Sequence, residues 1–318
     1  MRVKSVLNAS APLLAAGGAY AIHRYWPDKI PLSASQTFPG LLGAVALVWL
    51  AYLAASWWSA RLRQRAGEVA PLWAAALAGI SLWQVVTGKM GLLPMPFFPG
   101  PDRVFSVFGV SSEVSMLAIG TLHSLRLLAT GFICGSGAGF LLGVWIGWSK
   151  RANFWGMPVL KFFGPVPATA WIPLALVLFP TTFGASAFII GLASLFPMIV
   201  LTSSGIAGVR HSHLEVARTL GADQWQLIRH VAIPSALPSI FVGLFMALSA
   251  SFLTLIVAEM IGVKAGLGFY ITWAQNFAEY YKVFAALLVM GVFFSGLMSA
   301  LFAVRSRVLR WQQGVIKW

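Results

Sequence analysis

The sequence predicts an all-α membrane helix bundle of about eight spans, and three observations carry the prediction. Charged residues make up 9% of the chain and hydrophobic residues 59%, against about 25% charged in a soluble domain. Mean hydropathy is +0.82. Apolar runs recur at 5–22, 40–60, 70–88, 119–148, 155–180, 184–208, 234–260 and 281–304, and roughly 20 apolar residues cross a bilayer as helix. No run alternates at period two, as a barrel requires, and an open sheet edge does not survive in lipid. So few charges cannot cover a soluble globule of 318 residues, and disorder needs the opposite composition.

The elements follow in order. The first run starts on Arg2 and Lys4 and contains Asn8, Ser10 and Pro12. It leads to His23-Arg24-Tyr25-Trp26 and not to a small-residue cleavage site. It therefore reads as a retained, weakly apolar span and not as a signal peptide. With the second run it makes an N-terminal membrane extension, residues 1–66. Residues 67–310 are the main six-span transmembrane domain, with an inner loop at 209–233, and 311–318 a tail. With the N-terminus cytoplasmic and every run spanning, one side collects 14 Lys and Arg and the other 6. That excess marks the cytoplasmic side and puts both termini inside. The net charge of +14 is then a topology signal. Membrane lipid is an expected partner and nucleic acid is not.

Between the third and fourth runs, Gly91–Ala118 opens on Leu93-Pro94-Met95-Pro96-Phe97-Phe98-Pro99-Gly100-Pro101, a rigid turn. A short interfacial helix over 102–108 follows, as a surface linker or a partner-docking surface. In the fourth run Gly131, Gly135, Gly139, Gly143 and Gly147 recur every four residues. Another helix can approach closely along such a stripe, either as static packing or as a sliding surface. The fifth run, 155–180, holds Pro158, Pro165, Pro167, Pro173 and Pro180. Broken backbone at membrane depth is tolerated where it is buried in protein or lines a water-filled cavity. The run is thus a candidate pathway wall through Pro167, Thr169, Trp171 and Pro173, with Thr181 beside it, or else a kinked packing helix. Glu259 near the end of the seventh run is a functional candidate for the same path, or a hydrated glutamate snorkelling to the outer surface.

No soluble-enzyme signature is present. The chain has neither Gly-x-x-x-x-Gly-Lys-Ser/Thr nor His-Glu-x-x-His. Its five histidines are scattered, and Cys134, the one cysteine, lies in an apolar stretch and reads as a packed thiol. No catalytic residue and no metal ligand is assigned.

The inner loop carries the most information. Leu214, Ala217 and Leu220 share one face of a short helix, Gly221 permits a sharp turn, and Trp225, Ile228 and Val231 mark a second short amphipathic helix. Gln226 falls on its wet face. Pro234 then opens the next span. The result is a helix–turn–helix on the cytoplasmic surface, wet on one side and dockable on the other.

Glu215-x-Ala217-x-x-x-Gly221, nine residues, then Val231-x-Ile233-Pro234 resembles the EAA loop of ABC importer permeases. Pro165-Val166-Pro167-Ala168, Ile172-Pro173-Leu174, Ala258-Glu259-Met260 and Gly266-Leu267-Gly268-Phe269 extend the resemblance to the nitrate, sulfonate, taurine and bicarbonate branch, over about residues 70–310. The resemblance implies a type I importer permease in a bacterial inner membrane. A second copy, expected as a homodimer, would complete the pathway for a small anionic solute, delivered from outside by a soluble binding protein. ATPase subunits beneath would use ATP and Mg, this chain binding no cofactor. Glu215, Ala217, Leu220, Gly221, Ala222 and Pro234 would form the coupling element. Residues 1–65 lie outside the resemblance, so a chain starting near Gly67 is expected to assemble and transport. The rival from another class is a secondary carrier working without an ATPase, and a non-transporting scaffold is a third reading.

Overall fold

The computed structural model describes residues 2–29 and 37–311. The expected tail lies outside the described residues except for Trp311. Among the described residues there are helices and no strands. Six helices are long and apolar enough to cross a membrane: Thr37–Ser56, Leu62–Lys89, Ser111–Trp148, Thr182–Ala207, Gln224–Gly262 and Tyr280–Val308. A seventh crossing is available if the bent pair Lys150–Phe163 and Ala168–Leu178 acts as one span.

The chain forms two compact units, whose boundaries fall within three of its helices. The first comprises Met1–Met116 and Trp273–Leu287. Here α1 (Arg2–Tyr25) packs along α3 (Ala60–Gln84), with α2 (Thr37–Ser56) against both. Ala16 and Ala19 of α1, Phe38 and Leu42 of α2 and Leu77 of α3 form the apolar centre. The expected extension therefore ends at residue 66, in the second turn of α3. Polar groups hold these helices together as well. Lys89 is 2% exposed. Its Nζ meets Asp28 Oδ1 at 2.7 Å and donates to the carbonyls of Trp26 and His23 at 2.6 and 3.0 Å. α4 (Pro101–Ser106) is the short helix expected at the outer surface, but it packs against α2 and α3, with Asp102 and Val104 fully buried.

The second unit comprises Leu117–Thr272 and Leu288–Trp318. α5 (Ser111–Trp148) turns its glycine stripe onto α8 (Thr182–Ala207). A Cβ at Gly131, Gly139 or Gly147 would lie 2.7, 2.8 or 2.6 Å from the carbonyl oxygens of Ala187, Leu195 and Ser203. At Gly135 it would strike the Gly191 backbone and Ser194. At Gly143 it would lie 2.6 Å from Thr202 Cβ. The two backbones are in contact, the small-residue mode of helix association. Cys134 is not the packed thiol the sequence suggests. The glycines take the buried face, so Cys134 is left exposed. α8 in turn packs along α11 (Ile233–Gly262), around Leu127, Leu128, Ile190, Leu248 and Leu255.

The run 155–180 is not one helix. α6 (Lys150–Phe163) ends before Pro165 and Pro167, a 3-10 turn spans Ala168–Trp171, and α7 (Ile172–Leu178) leaves at 85°. Two prolines within three residues remove two donors and push their preceding residues out of helical geometry.

Candidate functional site

The inner loop folds as a helix, a tight turn and the root of a span. α9 (His211–Thr219) stops at Leu220, and Gly221 adopts φ +85°, the left-handed region where glycine is favoured. Gly221 N–H donates to the Arg218 carbonyl at 2.9 Å and Ala222 N–H to the Ala217 carbonyl at 3.0 Å. These two bonds are the Schellman arrangement that closes a helix C-terminus. Ala217, Gly221 and Ala222, three of the residues singled out by the sequence, thus make one turn together. Glu215 meets His211 Nδ1 at 3.1 Å, one helical turn back on an exposed surface. Its bond is local to α9 and does not tie the loop to the spans.

The second helix differs from expectation. α10 (Gln224–Gln226) runs through a π-helical turn at Leu227–Ala232 straight into α11, giving one helix over Gln224–Gly262. Pro234 sits just beyond the wide turn, where its ring crowds the carbonyl four residues back and supplies no donor. The extra residue in the turn accommodates it. Gln226 is not idle on a wet face. Its side chain accepts from Asp223 N–H at 2.9 Å while Asp223 accepts from Gln226 N–H at 2.7 Å, a capping box that starts the long helix. α9 packs on the π-helical turn, where Leu227 and Ala232 are buried. The outward side leaves Val216, Leu220 and Trp225 at 60%, 82% and 66% exposed. Three large apolar side chains on a polar loop are a surface made to be covered. An open cleft of about 500 Å³ adjoins it, with Lys150, Asn153, His211 and Arg218 on its walls.

The candidate pathway residues separate into two places. Pro167 begins the 3-10 turn and is exposed, Thr169 and Trp171 within it are half-buried, and Pro173 is exposed in the first turn of α7. Trp171 leans on Phe163 with ring centres 6.0 Å apart. Thr181 caps α8, its hydroxyl accepting from Gly184 N–H at 3.1 Å.

Glu259 is neither a hydrated surface acid nor part of an open wall. It has no exposed surface. Its Oε1 accepts from Ser124 Oγ at 2.6 Å and its Oε2 from Gly268 N–H at 2.8 Å. Ser124 Oγ accepts in turn from Leu267 N–H at 3.0 Å. Gly266, at φ +113°, and Gly268 are where a side chain would collide with this carboxylate. The acid therefore fixes the turn between α11 and α12 (Leu267–Asn276) against α5. A buried carboxylate is tolerable only when bonded in this way. The Gly266-x-Gly268 spacing was the sequence signal for it. Ser124 as its partner gave none.

The family model for binding-protein-dependent transport system inner membrane components matches residues 135–310. SsuC of Bacillus subtilis (strain 168), an aliphatic sulfonates transport permease protein, is 32% identical over 237 residues, 73% of this chain and 84% of the relative. NrtB of Synechococcus elongatus, a nitrate import permease protein, is 27% identical over 229 residues, 69% of this chain and 80% of the relative. An inward-facing structure of the MetNI methionine ABC transporter aligns with TM-score 0.55 and 16% identity, over 63% of this chain and 99% of that one. At that identity the likeness speaks for the fold.

Proposed function

Because the chain belongs to the family of binding-protein-dependent transport system inner membrane components, we propose that it works as the permease subunit of an importer for a small anionic solute. ATPase subunits dock on the α9 loop, a soluble binding protein delivers the solute, and a second copy of the chain completes the pathway. ATP and Mg are used by the ATPase. Both termini are cytoplasmic, in a bacterial inner membrane, with the loop at 209–233 on the same side. The relatives' names, sulfonates for one and nitrate for another, support an oxyanion as the class of solute. The broken segment with Pro167, Thr169, Trp171 and Pro173 serves as pathway wall, while Glu259 holds the outer turn.

The observation that carries this reading is the closed turn at Gly221 beside uncovered Val216, Leu220 and Trp225. A rigid, apolar-faced loop rooted in a 39-residue helix can carry a push from a soluble motor into the membrane. The test is Gly221→Asp and Glu215→Lys in the reconstituted complex. Space around Gly221 is open and aspartate tolerates left-handed backbone better than most residues, so the chain should insert normally. ATPase co-purification or substrate-stimulated hydrolysis should fall at least tenfold, a loss of about 1.4 kcal/mol or more at the contact. Normal transport and stimulation in both variants would remove the loop from the mechanism.

A further inference from the structure

A second feature lies in the first unit, where α2 gives way to α3. α2 is 20 residues long, about 30 Å of helix, which matches the hydrocarbon core of a bilayer. It ends on Trp57 and Trp58, which are 82% and 96% exposed. Nothing among the described residues covers either ring. Tryptophan at the end of a span settles at headgroup level, where its apolar body and polar N–H are both satisfied.

Immediately beyond, Arg61, Arg63 and Arg65 fall in the first two turns of α3. Arg63 and Arg65 are exposed. The nearest acid on the helix, Glu68, accepts from Gln64 at 3.1 Å. Arg63 Nη2 donates to the Trp57 carbonyl at 3.1 Å, which holds one guanidinium against the aromatic turn and leaves its remaining donors free to face outward. Two exposed cations, Arg63 and Arg65, and two bare indoles thus sit within nine residues at the end of a bilayer-length helix.

We propose that the α2–α3 turn binds the headgroup of an anionic phospholipid. The arginine forks take the phosphate oxygens and the two indoles rest at the glycerol level. Arginines that only set orientation would need neither the bare tryptophan pair nor a fixed guanidinium beside it.

The experiment places the full chain in nanodiscs and compares brominated phosphatidylglycerol with brominated phosphatidylcholine as quenchers of tryptophan fluorescence. The wild type minus W57F/W58F isolates the pair. The phosphatidylglycerol preference should be on the order of tenfold at low salt, since each arginine near the surface attracts anionic lipid independently. It should shrink as salt is raised and vanish in R63Q/R65Q. R63K/R65K keeps the charge that governs insertion but loses the planar fork, so part of the preference should remain. The salt series on the wild type needs no variant to fold. Equal quenching by both lipids, or a preference that survives R63Q/R65Q, overturns the proposal. Absence of quenching by either lipid would mean that protein covers the pair, and relief of quenching by excess inorganic phosphate would mean a soluble-anion site. Either outcome also overturns it.

Discussion

Glu259 accepts a hydrogen bond from Ser124 at 2.6 Å, across 135 positions of sequence, with neither side chain exposed. The same hydroxyl receives Leu267 N–H and the same carboxylate receives Gly268 N–H. One acid and one alcohol therefore carry the junction of α5, α11 and α12. The Leu267 and Gly268 N–H groups, at the start of α12 and without partners within the helix, thus each meet a side chain.

Removing the acid should cost more than neutralising it. Glu259→Gln keeps the shape: its oxygen can still accept from Gly268 N–H while its amide N–H donates to Ser124 Oγ, so it is expected to insert and assemble with a modest fall in thermal midpoint. Glu259→Leu leaves Ser124 Oγ and Gly268 N–H without their partner, at roughly 1–3 kcal/mol for each orphaned group. Ser124→Ala orphans Leu267 N–H and leaves Glu259 Oε1 without its donor, so it should cost about as much as Glu259→Leu and more than Glu259→Gln. Thermal aggregation in detergent, read by size-exclusion chromatography, ranks the three. A Glu259→Leu variant as stable as Glu259→Gln would show that the bonds do not hold the turn.

The glycine stripe makes a sharper comparison. Gly135→Ala places a methyl against the backbone of Gly191 and the Ser194 hydroxyl, whereas Gly137, two residues on, has nothing within 4 Å of the same position. Gly137→Ala should be silent or slightly stabilising, because alanine is the better helix former. Gly135→Ala must push α8 away from α5 and should lower the midpoint by several degrees, an overpacking cost of about 1–3 kcal/mol. Equal midpoints for the two variants would mean that the helices are not in backbone contact.

This stripe was legible in the sequence because it is local. Five glycines at a spacing of four fall on one helix face whatever the partner, and the turn at Gly221 is local in the same way. The Pro165–Pro167 pair announced a disturbance, but proline chemistry does not state whether a helix kinks or breaks into two pieces at 85°. The Ser124–Glu259 bond was not legible, since a serine inside an apolar helix bonds its own carbonyls by default. The capping box at Asp223–Gln226 hid for another reason. The apolar spacing of Trp225, Ile228 and Val231 suggested a separate helix, and the π-helical turn that fuses it to the span has no signature in hydrophobic period.

Asp102 gives a prediction in pH. It is fully buried in α4, and among the described residues neither carboxylate oxygen makes a well-formed hydrogen bond. Burial pushes its pKa above the usual 3.8, the nearby backbone N–H of Arg103 and the Arg103 charge opposing part of the rise. The folded protein then holds this proton more tightly than the unfolded chain does. The group's stabilising contribution is complete below 3.8 and is lost as pH rises through the raised folded value. Asp102→Asn imitates the protonated form. It should raise the thermal midpoint at neutral pH and flatten its fall as pH rises above 3.8. A midpoint that changes with pH to the same extent in the wild type and in Asp102→Asn would assign the dependence to other groups.

Residues 1–65 are the segment whose removal the sequence alone suggested would still leave a chain that assembles and transports, at some cost in stability. A chain beginning at Gly67 starts inside α3 and lacks α1, the helix that packs along it. More is lost than apolar contact. Lys89 Nζ is wholly buried and owes its three close partners to Asp28, His23 and Trp26. All three partners leave with the deletion. Breaking a buried ion pair by removing one side costs about 3–5 kcal/mol, because the other charge stays behind without compensation. Lys89→Met fills a similar volume with an apolar chain and removes that penalty. The truncated chain should therefore express poorly or aggregate, and Lys89→Met introduced into it should recover much of the yield. In the full-length chain the same substitution strands Asp28 at the rim, where its carboxylate is 29% exposed and can turn to water, so the loss there should be small. The comparison of four chains by monodisperse yield after detergent extraction forms a double-mutant cycle, which isolates the coupling between Lys89 and the deleted segment. If Lys89→Met rescues nothing, apolar packing of α1 on α3 is what the deletion removes. If the truncated chain is already as well behaved as the full-length one, the buried cluster contributes nothing to holding these helices together.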